Sequence, residues 1–159
     1  MTTPGSHGDT YAESFHRDFF RNWAAGVPPS RCSAGTEDHN TASVGGLVML
    51  PPVVLAAWAA SGGSLAAATR AATGHLALTH ESAKLAKYAE VYTALLVAVV
   101  TGGEAALPGA VRDAARAAGV DVDKALRSGV DDVQAVHGVY GSACYISSAF
   151  PAMLYLLAR

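Results

Sequence analysis

The chain has 159 residues, of which 51% are hydrophobic and 15% charged, with a net charge of −2. That length suits one domain around one core, and a near-neutral balance without a basic stripe excludes nucleic acid as the main partner. The charged share is well below the ~25% of ordinary soluble domains, so part of the surface is expected to be apolar or covered, and a homodimer is the expected assembly.

The opening run MTTPGSHGDT is polar and has no apolar centre. It reads as a flexible tail over residues 1–9 with no signal peptide, and a cytoplasmic location is the default expectation. Thr10 and Glu13 have the spacing of a capping box. Behind them Tyr11, Phe15, Phe19 and Trp23 recur every four residues on one helical face, and Gly26 follows as a stop. Residues 27–43 contain many turn formers and no apolar period, which predicts a long loop. Next comes VGGLVMLPPVVLAAWAA, residues 44–60. Gly45-Gly46 and Pro51-Pro52 interrupt it, whereas a membrane span wants ~20 uniform apolar residues, so it reads as buried core and no membrane partner is expected.

Period and punctuation predict further helices near 52–60, 64–72, 81–101, 108–118, 122–128 and 146–158. Pro108 near a start and Gly119 past an end are the expected asymmetric pair. No stretch alternates with period two, so the class is all-α, a compact orthogonal multi-helix domain over residues 1–159. In the 81–101 helix, Leu85, Ala89, Tyr92, Leu96 and Val99 form a stripe that Gly102-Gly103 ends. Thr79 reads as its cap, with His80 and Glu81 in its first turn, where Glu81 suits the positive end of the dipole. The same turn presents N–H groups able to hold an anion. The triplet is therefore either helix punctuation or one wall of a pocket.

Three stretches in order, SVGGLVMLPP (43–52), LTHESA (78–83) and GSACYISSAFPAMLY (141–155), resemble signature segments of the ADP-ribosylglycohydrolases. The resemblance covers about residues 40–159 and implies an all-helical fold whose pocket accepts ADP-ribose or a related N-glycoside. In that family, aspartates hold a dinuclear magnesium site that positions the ribose, as hard cations need several oxygen ligands. This sequence departs from the pattern. No Thr-Asp-Asp-Thr run precedes Ser43, and no Gly-Gly-Asp-Thr-Asp-Thr run follows Pro151. Val44 and Met49 stand where the family has Asn and Arg, and Ser148 where it has an acid. The expectation is a metal-independent protein with no cofactor, acting on a small-molecule ligand in a greasier pocket than its family's. The resemblance implies Ser43, Gly45, Gly46, Gly141, Ser142 and Tyr145, with Met49 at the family's arginine position, for ligand binding, and His80 as the pocket histidine; in an enzyme, His80 with Glu81 as a helper carboxylate is the expected catalytic pair. A ligand-binding protein without turnover and a metal-dependent hydrolase with relocated ligands are the alternatives.

Other residues have plainer readings beside the sharp ones. Glu37-Asp38-His39 puts three metal-ligand types together, but adjacent residues point apart, and a solvated loop is the preferred reading. Asp131-Asp132 reads as a capping pair before VQAV, and Asp9 in HGDT carries no weight alone. His75 reads as a linker residue, and His137 as a helix-end residue with a pocket role left open. Cys32 and Cys144 are too far apart for a CxxC element, and Cys144 reads as a small buried hydrophobe rather than a nucleophile.

Overall fold

A computed structural model describes residues 12–35, 37, 38 and 40–159; the expected tail, Thr10, Tyr11 and His39 lie outside the described residues. Nine α-helical segments follow one another among them. They are α1 (Ser14–Ala24), α2 (Gly45–Val48), α3 (Leu50–Ala60), α4 (Leu65–Leu76), α5 (Ala83–Gly102), α6 (Leu107–Ala118), α7 (Asp123–Ser128), α8 (Asp132–Gln134) and α9 (Ile146–Ala158). A π-helical turn, Ala135–Tyr140, continues α8. The described residues contain no strand, only an isolated antiparallel bridge between Ser43 and Tyr145. The fold is all-α.

The expected punctuation is present. Pro108 lies in the first turn of α6, where its missing N–H leaves no bond unmade, and Gly119 closes the helix at φ 67°. The Asp131 side chain accepts from the Gln134 N–H at 2.8 Å and so caps α8, as its sequence position implies.

The main core lies where α3, α4, α5, α6 and α9 meet. Leu50, Val54, Leu85, Phe150 and Leu154 are fully or almost fully buried there. Burying a side chain of this size stabilises by about 1.5–3 kcal/mol. Apart from Leu76 and Val111, the buried positions on α4 and α6 are alanines, including Ala68, Ala72, Ala114 and Ala115, so these helices bring little side-chain bulk to the core. A smaller cluster gathers Ala125, Ala135 and Tyr155. The Tyr155 hydroxyl leaves it to donate to Asp132 at 2.8 Å, and Arg159 pairs with the same carboxylate at 3.0 Å.

Four sequence expectations change. First, α5 begins at Ala83 and is capped by Ser82, whose hydroxyl accepts from the Leu85 N–H at 3.3 Å. Thr79 is not the cap and Glu81 is not in the first turn. The cause is upstream: residues 77–80 are tied back onto the end of α4, with the His80 N–H donating to the Leu76 carbonyl at 2.8 Å. Second, the buried stripe of α5 is Leu85, Ala89, Thr93 and Leu95, with Tyr92, Leu96 and Val99 half-buried. Thr93 can be buried because its hydroxyl donates to the Ala89 carbonyl one turn back. Third, segment 44–60 is only partly core, since Val48 and Met49 are more than half exposed. Fourth, Cys144 is exposed, whereas Cys32 is buried.

By length and composition, α5 is apolar enough to cross a membrane, with a mean hydropathy of 1.3 over its best window. In this fold it packs against α3, α4, α6 and α9, with 22% of that window buried.

The new cap gives a direct check. Ser82→Ala should lower unfolding stability by about 1 kcal/mol in urea titration. Thr79→Ala should lower it by less, because its hydroxyl supports a side chain and no helix end.

Candidate functional site

The loop before α2 is fastened at three places, which fixes the first signature segment. The Ser33 hydroxyl donates to the Ala77 carbonyl just past α4. Asp38 closes a turn by accepting from the Asn40 N–H at 2.8 Å, the Thr41 N–H at 3.1 Å and the Thr41 hydroxyl at 3.2 Å. The neighbouring Ser14 hydroxyl, with the hydrogen bonds from Asn40 and Thr41, holds its carboxyl below the usual range. At Ser43 the loop then pairs with the third signature segment: the Val44 N–H donates to the Cys144 carbonyl at 2.8 Å, and the Ile146 N–H to the Ala42 carbonyl at 2.9 Å.

Immediately after this bridge, α2 presses onto the second signature segment. A Cβ on Gly46 would lie 2.7 Å from Leu76 Cδ1, 2.9 Å from Leu85 Cδ2 and 3.2 Å from the His80 ring. Glycine is needed there for space, since its backbone is ordinary helix. Gly45 differs, because a Cβ there would meet only the Ser43 hydroxyl at 3.6 Å. Gly141 is constrained twice, by its φ of 91° and by Ser148 Oγ, which would lie 3.1 Å from a Cβ at that position.

His80 is 4% exposed. Its ring packs on Phe15 of α1 at a centroid distance of 4.0 Å, with His16 at 6.1 Å. Nδ1 shares a hydrogen bond of 2.9 Å with the Thr79 hydroxyl, while Nε2 is buried without a partner among the described residues. Burial first, and then the neighbouring His16, push His80 down to about 4, against a smaller opposing pull from Glu13. The imidazole is therefore neutral at pH 7. Its tautomer decides whether Nε2 offers a proton or a lone pair.

The site residues expected from the sequence fall into two groups. His80 and Glu81 line one cavity of about 290 Å³, together with Thr73, Leu76, Ala77, Ser82, Ala83 and Ala86. Gly46 backs the His80 ring from beneath. Gly141 and Ser142 line a separate apolar cavity of about 390 Å³ beside Met153 and Leu156, and Ser142 pairs with His137 Nδ1 at 2.8 Å. Ser43 is buried in the bridge, while Met49 and Tyr145 are exposed and line neither cavity. The three segments thus adjoin through backbone and through Gly46, without sharing one pocket.

Nothing in the sequence connects Phe15, His16 and Glu13 to this site. The four-residue aromatic period marks a helical face, but it does not say which side chain that face covers. Neither do the described residues fit the family's dinuclear metal centre. Among the described residues, no three His, Cys, Asp or Glu side chains come together to hold an ion. Asp38, Asp131 and Asp132 are each engaged in a turn, a cap or an ion pair.

The chain belongs to the ADP-ribosylglycohydrolase family, whose model matches residues 6–159. The match reaches well before residue 40, so α1 and the loop are part of the family region. No curated protein and no solved structure matches the chain.

Two outcomes follow from the His80 environment. Unfolded His80 titrates near 6.5 and folded His80 at about 4. Between these values the unfolded chain binds the extra proton, so stability falls as pH drops from 6.5 to about 4 and levels off below. The loss attributable to His80 should be about 3 kcal/mol at most. It is read as the difference in pH dependence between the parent chain and His80→Gln in urea unfolding. Separately, Gly46→Ala should destabilise by about 1–3 kcal/mol through overpacking, whereas Gly45→Ala should leave stability within ~0.5 kcal/mol, both by thermal unfolding.

Proposed function

We propose that this member of the family handles a small N-glycoside in the pocket at the α4–α5 connection, independently of a bound metal. The observation that carries the reading is the pairing of His80 and Glu81 on one cavity wall, with His80 neutral and its Nε2 unpartnered. As the C–N bond of an N-glycoside breaks, oxocarbenium character develops at the sugar carbon; a carboxylate beside it can take a proton from the water that adds there and pass it to the departing nitrogen. Glu81 has that role here. His80 is too weak a base to be the proton store at pH 7, so its role is to orient: if the Thr79 hydroxyl donates to Nδ1, Nε2–H donates to a ligand oxygen.

The lining by Leu76, Ala77, Ala83 and Ala86 supports a ligand with an apolar portion and few phosphates. Gly46 sets the depth of the pocket by its contact with the ring. Ser43 and Gly45 hold the first segment in register, and Gly141 and Ser142 do so for the third. Met49 and Tyr145 are exposed and line neither cavity, so they stand outside the proposed ligand contacts. Nε2 lies under protein atoms, so a ligand reaches it by displacing cover, and α1 packs on the ring through Phe15. A cytoplasmic homodimer is part of the same proposal.

A second reading, ligand binding without turnover, is favoured by the lack of a metal-binding acid cluster among the described residues. The two readings separate in one assay. ADP-ribosylated arginine and ordinary nucleosides are incubated with the chain, with and without EDTA. The expected result is turnover insensitive to EDTA. His80→Ala and Glu81→Gln should each lower it more than tenfold while remaining folded, at least ~1.4 kcal/mol of lost stabilisation. Glu81→Gln should retain ligand affinity. Turnover abolished by EDTA and restored by magnesium would contradict the proposal, and saturable binding with no product would establish the second reading.

A further inference from the structure

The antiparallel helices α5 and α6 meet along a seam that is filled incompletely. At the start of α5 the seam opens into a cavity of about 380 Å³ whose lining includes Ala83, Lys84, Lys87, Tyr88, Val91 and Ala117. It continues into a second cavity of about 270 Å³, whose walls are Val91, Ala94, Leu95 and Ala98 from α5 and Ala110, Ala114 and Ala117 from α6. Val91 and Ala117 belong to both, so the two cavities form one trough. Alanines at the facing positions explain it: two helices in contact leave a furrow where neither carries enough bulk to fill it.

The trough has polarity. Lys84 and Lys87 stand at one end, and no ion pair of either is present among the described residues. In the second cavity the one charged lining residue among those described is Asp113, whose carboxylate is 75% exposed and paired with Arg116 at 3.5 Å. From Lys87 to Ala98 the trough follows eleven helical steps, about 16 Å at ~1.5 Å each. That is the reach of a medium-length alkyl chain. A wall of alanine, valine and leucine methyls accepts such a chain, and the lysines match an anionic head.

We propose that this trough binds a free, dispersed anionic amphiphile of medium chain length, with its head at Lys84 and Lys87 and its tail on Ala94, Ala98, Ala110 and Ala114. The trough adjoins the His80–Glu81 cavity at Ala83, but neither His80 nor Glu81 lines it, so the amphiphile is a second ligand, and its failure would leave the N-glycoside proposal standing.

Dodecanoate, kept below its critical micelle concentration, is titrated into the full chain by calorimetry. The expected result is saturable binding with one site per chain. Lys84→Gln with Lys87→Gln should weaken it more than tenfold, and neutral dodecan-1-ol should bind more than tenfold more weakly than dodecanoate. Ala94 is exposed, so Ala94→Phe should fold and occlude the trough, abolishing binding without changing the circular dichroism spectrum. Absence of saturation, or equal affinity in the lysine variant, would overturn the proposal. So would either of two other occupants: stronger association with anionic phospholipid vesicles than with dispersed dodecanoate, or a sedimenting dimer that Ala94→Phe dissociates and dodecanoate leaves intact.

Discussion

The approach of Gly46 to the His80 ring is the contact on which the rest of the arrangement depends. It lets α2 lie against Leu76 and Leu85 at a distance no other residue permits. Because α2 follows directly from Ser43, the same approach determines where the bridge to Tyr145 falls. Three segments distant in sequence are thereby locked to one another through two backbone hydrogen bonds and one missing Cβ. The buried methyls around them supply the stability, and Gly46 supplies the geometry.

Burial then gives His80 its chemistry. A histidine enclosed by Phe15, Gly46 and the end of α4 loses hydration of its charged form, and His16 nearby opposes a second positive charge. The ring stays neutral and keeps one nitrogen without a partner among the described residues, which is an unfavourable state for a purely structural group. Thr79 holds the other nitrogen, so the threonine of the Leu-Thr-His segment has a role that helix capping would not provide. Glu81, one residue on, remains at the rim of the same cavity.

Much of this is legible in the sequence, for identifiable reasons. Glycine and proline punctuation locates α3 through α7 and α9 within a few residues, since those residues act locally. The signature segments identify the family, because each retains the small or polar residues that backbone approach requires. The cap of α5 is ambiguous because Thr79 and Ser82 are both good N-cap residues, and only the tie of residues 77–80 to α4 decides between them. The environment of His80 is hidden for a related reason: Phe15 lies far upstream, and no local rule joins an aromatic period to a distant imidazole. Residue type alone makes Cys144 a buried hydrophobe, yet its carbonyl, not its thiol, serves the bridge. The division of the expected ligand-binding residues between two cavities likewise depends on packing that local sequence does not record.

Nitrogen-15 NMR of the His80 imidazole, before and after addition of ADP-ribose or a nucleoside, tests the pocket account most directly. The account predicts a neutral ring at pH 7 with one fixed tautomer, and a change in the Nε2 resonance when the ligand binds. A charged ring at pH 7, or an Nε2 resonance unmoved by a ligand that demonstrably binds the chain, would contradict it.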